Sequence, residues 1–217
     1  MLLDKSLPRF LIALEKPDGF RYPRYELPKG YTAHLYEEGK GYEDAFARME
    51  VACGQMVDFQ TGLDTFRRNF LENPAFPDLD PRQRCLFVRA PGGQIMATCS
   101  MWMGTDLSAT PRPRMHWLIV GDGHEGKGVA RALVTKMLDL HASLNEGEYL
   151  YLNTATWNYQ AIGIYLGFGF VPYAGKKPLS SPFVKMTEEE WRKQDQAAWD
   201  GVMGKINEYR KNKAERS

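Results

Sequence analysis

Residues 115–140, MHWLIVGDGHEGKGVARALVTKMLDL, contain three local patterns that together decide the fold. Residues 115–120 form a short apolar run, which predicts a buried strand. Four glycines in residues 121–128 allow positive φ angles and the close approach of a ligand to the backbone. From Val129 onward, apolar residues recur at steps of three and four, which predicts an amphipathic helix. Because a strand, a glycine turn and a helix N-terminus together bind anions well, we expect a phosphate-bearing ligand at this turn.

Two other kinds of phosphate loop share part of this pattern. Residues 121–126 match the G-x-G-x-x-G loop of dinucleotide-binding proteins, but the next predicted strand, residues 149–153, does not end in the carboxylate that holds the ribose. The spacing up to Lys127 matches a P-loop, but Gly128 stands where that loop needs a Mg²⁺-binding Ser or Thr. A P-loop or dinucleotide-binding protein is therefore a less favoured alternative.

Residues 125–130, EGKGVA, resemble the R/Q-x-x-G-x-G/A signature of the GNAT superfamily of N-acetyltransferases. In that family, consecutive backbone amides of the signature hold the pyrophosphate of acetyl-CoA. Glu125 stands where the family usually has Arg or Gln, which removes a side-chain donor but leaves the amides in place. Lys127 and Arg131 carry positive charges that offset the carboxylate.

Residues 158–170, NYQAIGIYLGFGF, resemble the second signature of the same family, N-x-x-A-[IV]-x-x-Y-x-x-x-G-F. Asn158, Ala161, Ile162 and Tyr165 are spaced so that a helix would carry them on one face. Asn158 and Tyr165 would then lie roughly 10 Å apart along the axis, which suits contact with two parts of one extended cofactor. The resemblance covers roughly residues 32–186.

The resemblance implies an α/β (α+β) GNAT fold, in which a central mixed, mostly antiparallel twisted sheet is flanked by helices. It implies acetyl-CoA as acyl donor, a primary amine of a small molecule or peptide as acceptor, and direct transfer in a ternary complex. The chain would then be an acyltransferase. A non-catalytic acyl-CoA-binding GNAT module is the alternative, because Glu125 and the lack of a Glu on the central strand would leave transfer slow.

The resemblance also assigns roles to individual residues. Backbone N–H groups near Ile119 and Val120 would polarise the thioester carbonyl, and Tyr165 would be the general acid that protonates the CoA thiolate. The complete cofactor-binding set that the resemblance implies is Leu118, Ile119, Val120, Glu125, Gly126, Lys127, Gly128, Val129, Ala130, Arg131, Asn158, Ala161 and Tyr165.

The general base is less clearly marked in the sequence. His116 is the best titratable candidate, because an unperturbed pKa near 6.5 suits a base at neutral pH. Strand alternation places it on one face with Leu118 and Val120, which fits a core histidine equally well. Glu50 and Asp106 are weaker candidates, and a base that acts through water also fits. His124 is expected to contact CoA or solvent, whereas His34 and His141 read as structural.

Composition excludes several classes of function. The 217 residues carry a formal net charge of +1, which gives no reason to expect nucleic acid or an anionic membrane as a partner. Three cysteines without metal-binding spacing predict reduced thiols and a cytoplasmic protein, and four scattered histidines do not suggest a metal. We identify no signal peptide and no apolar run of membrane-spanning length.

We predict three parts in the chain: an N-terminal extension packed on the domain (residues 1–30), the acetyltransferase domain (31–186), and a C-terminal helix with a basic tail (187–217). The C-terminal helix would pack on the extension or form a homodimer contact. Residues 54–60 fall where the resemblance places an acceptor-binding loop. Pro111 and Pro113 predict a loop over residues 105–114, which would border the acceptor site. Further strands are expected at residues 31–36, 84–90, 94–103, 170–173 and 183–186, and further helices at 41–53 and 61–71.

Overall fold

The computed structural model describes residues 3–215, and this part of the chain forms seven strands and six α-helices. The strands are β1 (Leu11–Lys16), β2 (Thr32–Leu35), β3 (Cys85–Arg89), β4 (Ile95–Gly104), β5 (Arg112–Val120), β6 (Leu150–Ala155) and β7 (Val171–Pro172). The helices are α1 (Tyr42–Ala52), α2 (Phe59–Phe66), α3 (Pro81–Arg84), α4 (Val129–Leu144), α5 (Tyr159–Gly167) and α6 (Glu188–Ala214). The helix predicted at residues 61–71 is α-helical only as far as Phe66 and continues as a π-helix over Arg67–Leu71. The other predicted strands and helices are confirmed, apart from the differences described below.

The chain divides into two compact units. The first unit consists of Asp18–Met103 and Pro113–Glu148. The second consists of Asp4–Pro17, Gly104–Arg112 and residues 149–215.

The first unit holds strands in the order β2–β3–β4–β5. β2 and β3 are antiparallel, as are β3 and β4, and the latter pair has an irregularity at Val88 and Arg89. Helices α1 and α2 pack closely together at Gly62. A Cβ added there would lie only 2.7 Å from the Cα of Ala47, so the contact has no room for a side chain. The core beneath them is aromatic and includes Tyr42, Phe46, Phe66, Phe70, Phe87 and Trp102.

β5 differs from its prediction in two ways. It begins at Arg112, so the expectation that the prolines keep residues 105–114 out of regular structure is wrong at the C-terminal end of that segment. Pro113 is the second residue of the strand, where one missing N–H donor is tolerated more easily than at the centre. Trp117 has a φ of 54°, an uncommon conformation for a non-glycine residue, and simple alternation therefore does not hold across it.

The second unit holds strands in the order β6–β1–β7. β1 is antiparallel to β6 along its whole length, from Leu11 opposite Ala155 to Lys16 opposite Leu150. It also pairs with β7. The sequence analysis predicts no strand in this part of residues 1–30. Its apolar residues follow one another without the period of two that identifies a strand with one exposed face.

Helix α6 starts as predicted from the sequence. The backbone N–H of Glu190 donates to Thr187 Oγ1 over 3.2 Å, and the N–H of Thr187 donates to Glu190 Oε2 over 2.7 Å. The apolar side of the helix is buried in the second unit, where Ile206 lies against α5 at Gly163. A Cβ on Gly201 would lie 3.4 Å from Leu7, so α6 also packs on the N-terminal segment. The homodimer contact stays a prediction.

The strand predicted at residues 183–186 is wrong. Phe183–Lys185 forms a 3₁₀ turn instead, in which the N–H of Phe183 donates to the carbonyl of Ser180 over 2.9 Å. Local turn hydrogen bonds satisfy this backbone, and the buried side chain of Phe183 explains the apolar character of the segment.

Within residues 3–215, no helix has the combination of length and low polarity that crossing a bilayer requires. In the same part of the chain, no three His, Cys, Asp or Glu side chains lie together as a metal site.

Candidate functional site

The glycine turn after β5 is open on its outer side. Gly123, Gly126 and Gly128 have φ angles of 75°, 72° and 92°, and a Cβ at any of them would have no described atom within 4 Å. Gly121 is different, because a Cβ there would lie 2.8 Å from the side chain of Met96. The first glycine is therefore closely packed against a side chain that can move, whereas backbone conformation demands the other three.

The turn leads directly into the N-terminus of α4. Gly128 is the N-cap residue, and no side chain in the described part of the chain caps this helix. The N–H groups of the first turn are therefore left to bind an external acceptor. The opposite side of α4 is fixed in the core by a buried stripe that comprises Val129, Ala132, Leu133, Val134, Met137, Leu138 and His141.

The charged groups at the turn indicate whether an anion would bind there. Burial raises the pKa of Glu125, but the backbone N–H groups of Glu125 and Gly123 favour the carboxylate, and the net pKa is lowered. These N–H groups thus already stabilise one negative charge. Lys127 and Arg131 are exposed beside them. Open space, an uncapped helix N-terminus and two cations suit an anionic group such as a phosphate.

Two aromatic residues outside the predicted site lie against this turn. The hydroxyl of Tyr31 is 2.6 Å from His124 Nδ1, so the side chain of His124 contacts Tyr31. The guanidinium of Arg131 lies 5.5 Å from the ring centre of Tyr25. Sequence reasoning identifies the aromatic and proline-rich character of residues 1–30 but misses these contacts, because only long-range packing brings them to the turn.

β5 places the predicted base on a half-buried part of the strand. The Nε2 atom of His116 is 3.4 Å from Asn69 Oδ1, and its ring lies among those of Phe70 and Trp117. Burial, together with the positive charge of Arg114, holds the pKa of His116 well below 6.5. The imidazole is therefore neutral at pH 7, and its surroundings make it a weaker proton acceptor than an exposed histidine. Leu118 is half-buried like His116, whereas Ile119 and Val120 are buried.

The second unit carries the remaining predicted residues. Ala161, Ile162 and Tyr165 lie on α5 and are buried, and the ring of Tyr165 packs on Phe170 at 5.7 Å. The prediction that the same helix carries Asn158 is wrong, because Asn158 precedes α5 and ends a 3₁₀ turn. From there its Nδ2 atom donates to Thr154 Oγ1 over 3.2 Å. The structure thus places residues 116–131 in the first unit and Asn158, Ala161 and Tyr165 in the second.

The loop before β5 borders a cavity of about 320 Å³ in the second unit. The cavity is lined by Thr105, Asp106, Ala109, Leu179 and Ser180. The hydroxyl of Tyr151, which is fully buried, donates to Asp106 Oδ2 over 2.8 Å and orients this carboxylate. Asp106 is therefore a fixed, half-buried acid beside a space that admits a small molecule.

Glu50, the other weaker candidate for the base, is fully buried on α1. Its Oε2 atom accepts a weak hydrogen bond from the thiol of Cys53 at 3.9 Å, and no donor among the described residues contacts Oε1. Burial raises the pKa of Glu50 to about 8. The side chain is therefore mostly protonated at neutral pH.

This raised pKa makes stability depend on pH. The folded state keeps the proton of Glu50 that the unfolded state releases near pH 4.5, so stability falls as the pH rises from about 4.5 to about 8. Glu50→Gln removes this loss. We expect it to exceed the wild type at pH 8 by on the order of 3 kcal/mol, roughly 6–12 °C in Tm, and by far less at pH 5.

Thermal unfolding at both pH values checks this prediction. Glu37→Gln, at an exposed glutamate, serves as the matched control and should show no such pH dependence. A difference between Glu50→Gln and the wild type that stays constant from pH 5 to pH 8 would contradict it.

Comparison with known proteins identifies the family. Residues 48–170 match the sequence profile of the Acetyltransferase (GNAT) family, and this range contains the glycine turn, α4 and both signatures. The chain belongs to the GNAT family. No curated protein matches the GNAT chain in sequence.

Solved structures agree with this GNAT assignment. A GCN5-related N-acetyltransferase from Sphaerobacter thermophilus matches with a TM-score of 0.55 and 15% identity, over 76% of this chain and 49% of that chain. An acetyltransferase of the GNAT family from Colwellia psychrerythraea matches with a TM-score of 0.53 and 17% identity, over 77% and 55%. A tandem GNAT protein from the clavulanic acid biosynthesis pathway matches with a TM-score of 0.52 and 16% identity, over 79% of this chain and 52% of that chain.

At these identities the likeness shows the fold alone, and it confirms the predicted fold class. The chain spans about half the length of each of these three solved structures.

Proposed function

We propose that this GNAT chain is an N-acetyltransferase that moves the acetyl group of acetyl-CoA to a primary amine by direct transfer in a ternary complex. The observation that carries the proposal is the open glycine turn between β5 and the uncapped N-terminus of α4. It offers backbone donors and positive charge to a diphosphate, in a chain of a family that uses acetyl-CoA.

Each part of the cofactor has candidate residues. The N–H groups of residues 126–130 would hold the pyrophosphate, with Lys127 adding positive charge. Arg131, in the first turn of α4, would contact a phosphate of the same cofactor. By the family resemblance, the backbone of Leu118, Ile119 and Val120 lines the pantetheine arm, and Asn158 and Ala161 contact the same cofactor.

In the proposed reaction, the amine nitrogen bonds to the acetyl carbon and the C–S bond breaks. Backbone N–H groups of β5 near Ile119 stabilise the negative charge that develops on the carbonyl oxygen, and such a donor typically contributes about 3 kcal/mol. Tyr165 gives its proton to the departing thiolate. Because reference pKa values are about 10 for a phenol and about 8.5 for a thiol, that transfer is feasible where the two groups touch.

His116 is the proposed general base. The neutral imidazole would take the proton that the amine nitrogen loses after the new C–N bond has formed. Its lowered pKa makes it a weak base, so the transfer requires a nitrogen that has become acidic in this way. Asn69, 3.4 Å from Nε2, limits the orientation of the ring.

A thermal-shift titration with acetyl-CoA, CoA, NAD(H) and Mg-ATP tests the proposal. A ligand at about 100 times its Kd adds about 2.7 kcal/mol to stability, which is roughly 5–10 °C for a chain of this size. We expect that shift with both CoA species alone, followed by thiol release from acetyl-CoA in the presence of an accepted amine.

The other results discriminate between the alternatives. A shift with CoA but no thiol release across small amines, amino acids and peptides would favour the non-catalytic acyl-CoA-binding module. A shift with Mg-ATP or NAD(H) and none with CoA would overturn the acetyltransferase proposal.

A further inference from the structure

Residues 19–31 have no helix or strand but follow α4 along its length. We call this segment the strap. Near the C-terminal end of the helix, the N–H of Gly19 donates to the carbonyl of Glu148 over 2.8 Å, and Phe20 packs on His141. The strap therefore begins beyond the end of α4 that is far from the glycine turn.

The middle of the strap is held by one carboxylate of the helix. The hydroxyl of Tyr22 donates to Asp139 Oδ1 over 2.6 Å, and Arg24 forms an ion pair with the same atom at 2.8 Å. Burial and the hydrogen bond that Tyr22 donates to Asp139 raise the pKa of Tyr22 to about 12, so the phenol stays a donor at neutral pH. Asp139 thus pairs with the strap, and it lies two helical turns away from Arg131.

The last part of the strap reaches the glycine turn. The N–H of Tyr25 donates to Thr135 Oγ1 over 3.1 Å, which places the ring of Tyr25 beside the guanidinium of Arg131 at 5.5 Å. Further on, Tyr31 meets His124 inside the turn itself. Both contacts hold polar side chains that border the candidate pyrophosphate site.

The contact between Tyr25 and Arg131 has a consequence for ligand binding. A guanidinium that stacks on an aromatic ring keeps the N–H donors at its edge free for a planar, two-point contact with phosphate. The backbone donors of the turn already suit the pyrophosphate. CoA carries one more phosphate, on the 3′ position of its ribose.

We propose that the strap positions Arg131, through the ring of Tyr25, to bind the 3′-phosphate of CoA. This inference rests on the proposed function, because it assumes that the glycine turn holds the pyrophosphate of the same molecule. Arg131 is then the residue that distinguishes CoA from 3′-dephospho-CoA, and Tyr25 is a positioning residue that acts through it.

Isothermal titration of the full chain with CoA and with 3′-dephospho-CoA tests the proposal without any need for turnover. The wild type should bind CoA roughly tenfold more tightly than 3′-dephospho-CoA, as expected for one charge-assisted contact. Arg131→Gln should reduce this ratio to about one, and Tyr25→Leu, which keeps bulk but removes the ring, should reduce it to roughly threefold.

Arg21→Gln is the matched control, because it removes one positive charge from the far end of the strap, where the exposed Arg21 pairs with Asp18 at 3.6 Å. It should keep the wild-type ratio. If Arg131→Gln lowered the affinities for CoA and 3′-dephospho-CoA by the same factor, Arg131 would bind the pyrophosphate. If it changed neither affinity, Arg131 would bind no phosphate of the cofactor. Either result overturns the inference. If the wild type bound neither CoA nor 3′-dephospho-CoA, the proposed function would be rejected instead.

Discussion

The Tyr165→Phe variant is expected to lose roughly 10²–10³-fold in kcat while it binds acetyl-CoA with the wild-type affinity. The change removes one hydroxyl from a residue that is 6% exposed and leaves the ring in its packing against Phe170. Without that proton the thiolate must leave unprotonated, which raises the barrier for breakage of the C–S bond. Steady-state thiol release and a direct CoA titration measure the two effects separately.

Tyr159→Phe provides the control on the same helix. Tyr159 is also buried, and its ring contacts Tyr209, but the family resemblance gives it no role in catalysis. It should keep wild-type turnover. If Tyr165→Phe retained its kcat, or lost affinity for CoA in the same proportion as kcat, Tyr165 would be a packing residue and not the acid.

The Gly128→Ala variant is expected to bind CoA roughly 100-fold more weakly, because binding at a helix N-terminus depends on aligned N–H donors. Gly128 has a φ of 92°, which an L-residue rarely adopts, so alanine would rotate the backbone and displace the N–H groups of the first turn of α4. Its Cβ would also enter the open space outside the turn.

Gly93→Ala separates loss of binding from backbone strain. Gly93 has a φ of 83° and equally open surroundings, but it lies in the hairpin between β3 and β4. Both variants should lose a similar amount of stability, about 1–2 kcal/mol. Only Gly128→Ala should lose CoA affinity in a titration. Equal affinities for the two variants would remove the glycine turn as the phosphate site.

Much of the first unit can be predicted from the sequence, because its signals are local. The helix that starts at Val129 follows from apolar spacing, and the hairpin between β3 and β4 follows from the Pro-Gly-Gly that joins them. The start of α6 follows from a capping box of Thr187 and Glu190. Each of these depends on residues within about four positions of one another.

The site is predictable in part for the same reason. The glycine turn and the buried face of α5 are encoded by consecutive residues, and family signatures mark both. The half-buried position of His116 and the strap along α4 are not. Trp117, with its positive φ, interrupts the strand alternation from which the surroundings of His116 are inferred. The contact of Tyr25 with Arg131 joins residues about 100 positions apart.

The sequence by itself determined the strand, the glycine turn and the helix that make this chain a GNAT protein, since hydrophobic periodicity and glycine conformation act over short range. Only the tertiary structure decided that Leu11–Lys16 is a strand, because its partners in β6 lie far along the chain and its apolar run carries no period of its own. The same holds for the 3₁₀ turn at Phe183–Lys185 and for the conformation of Trp117. Long-range strand pairing and side-chain packing determine these features, and the local sequence pattern does not predict them.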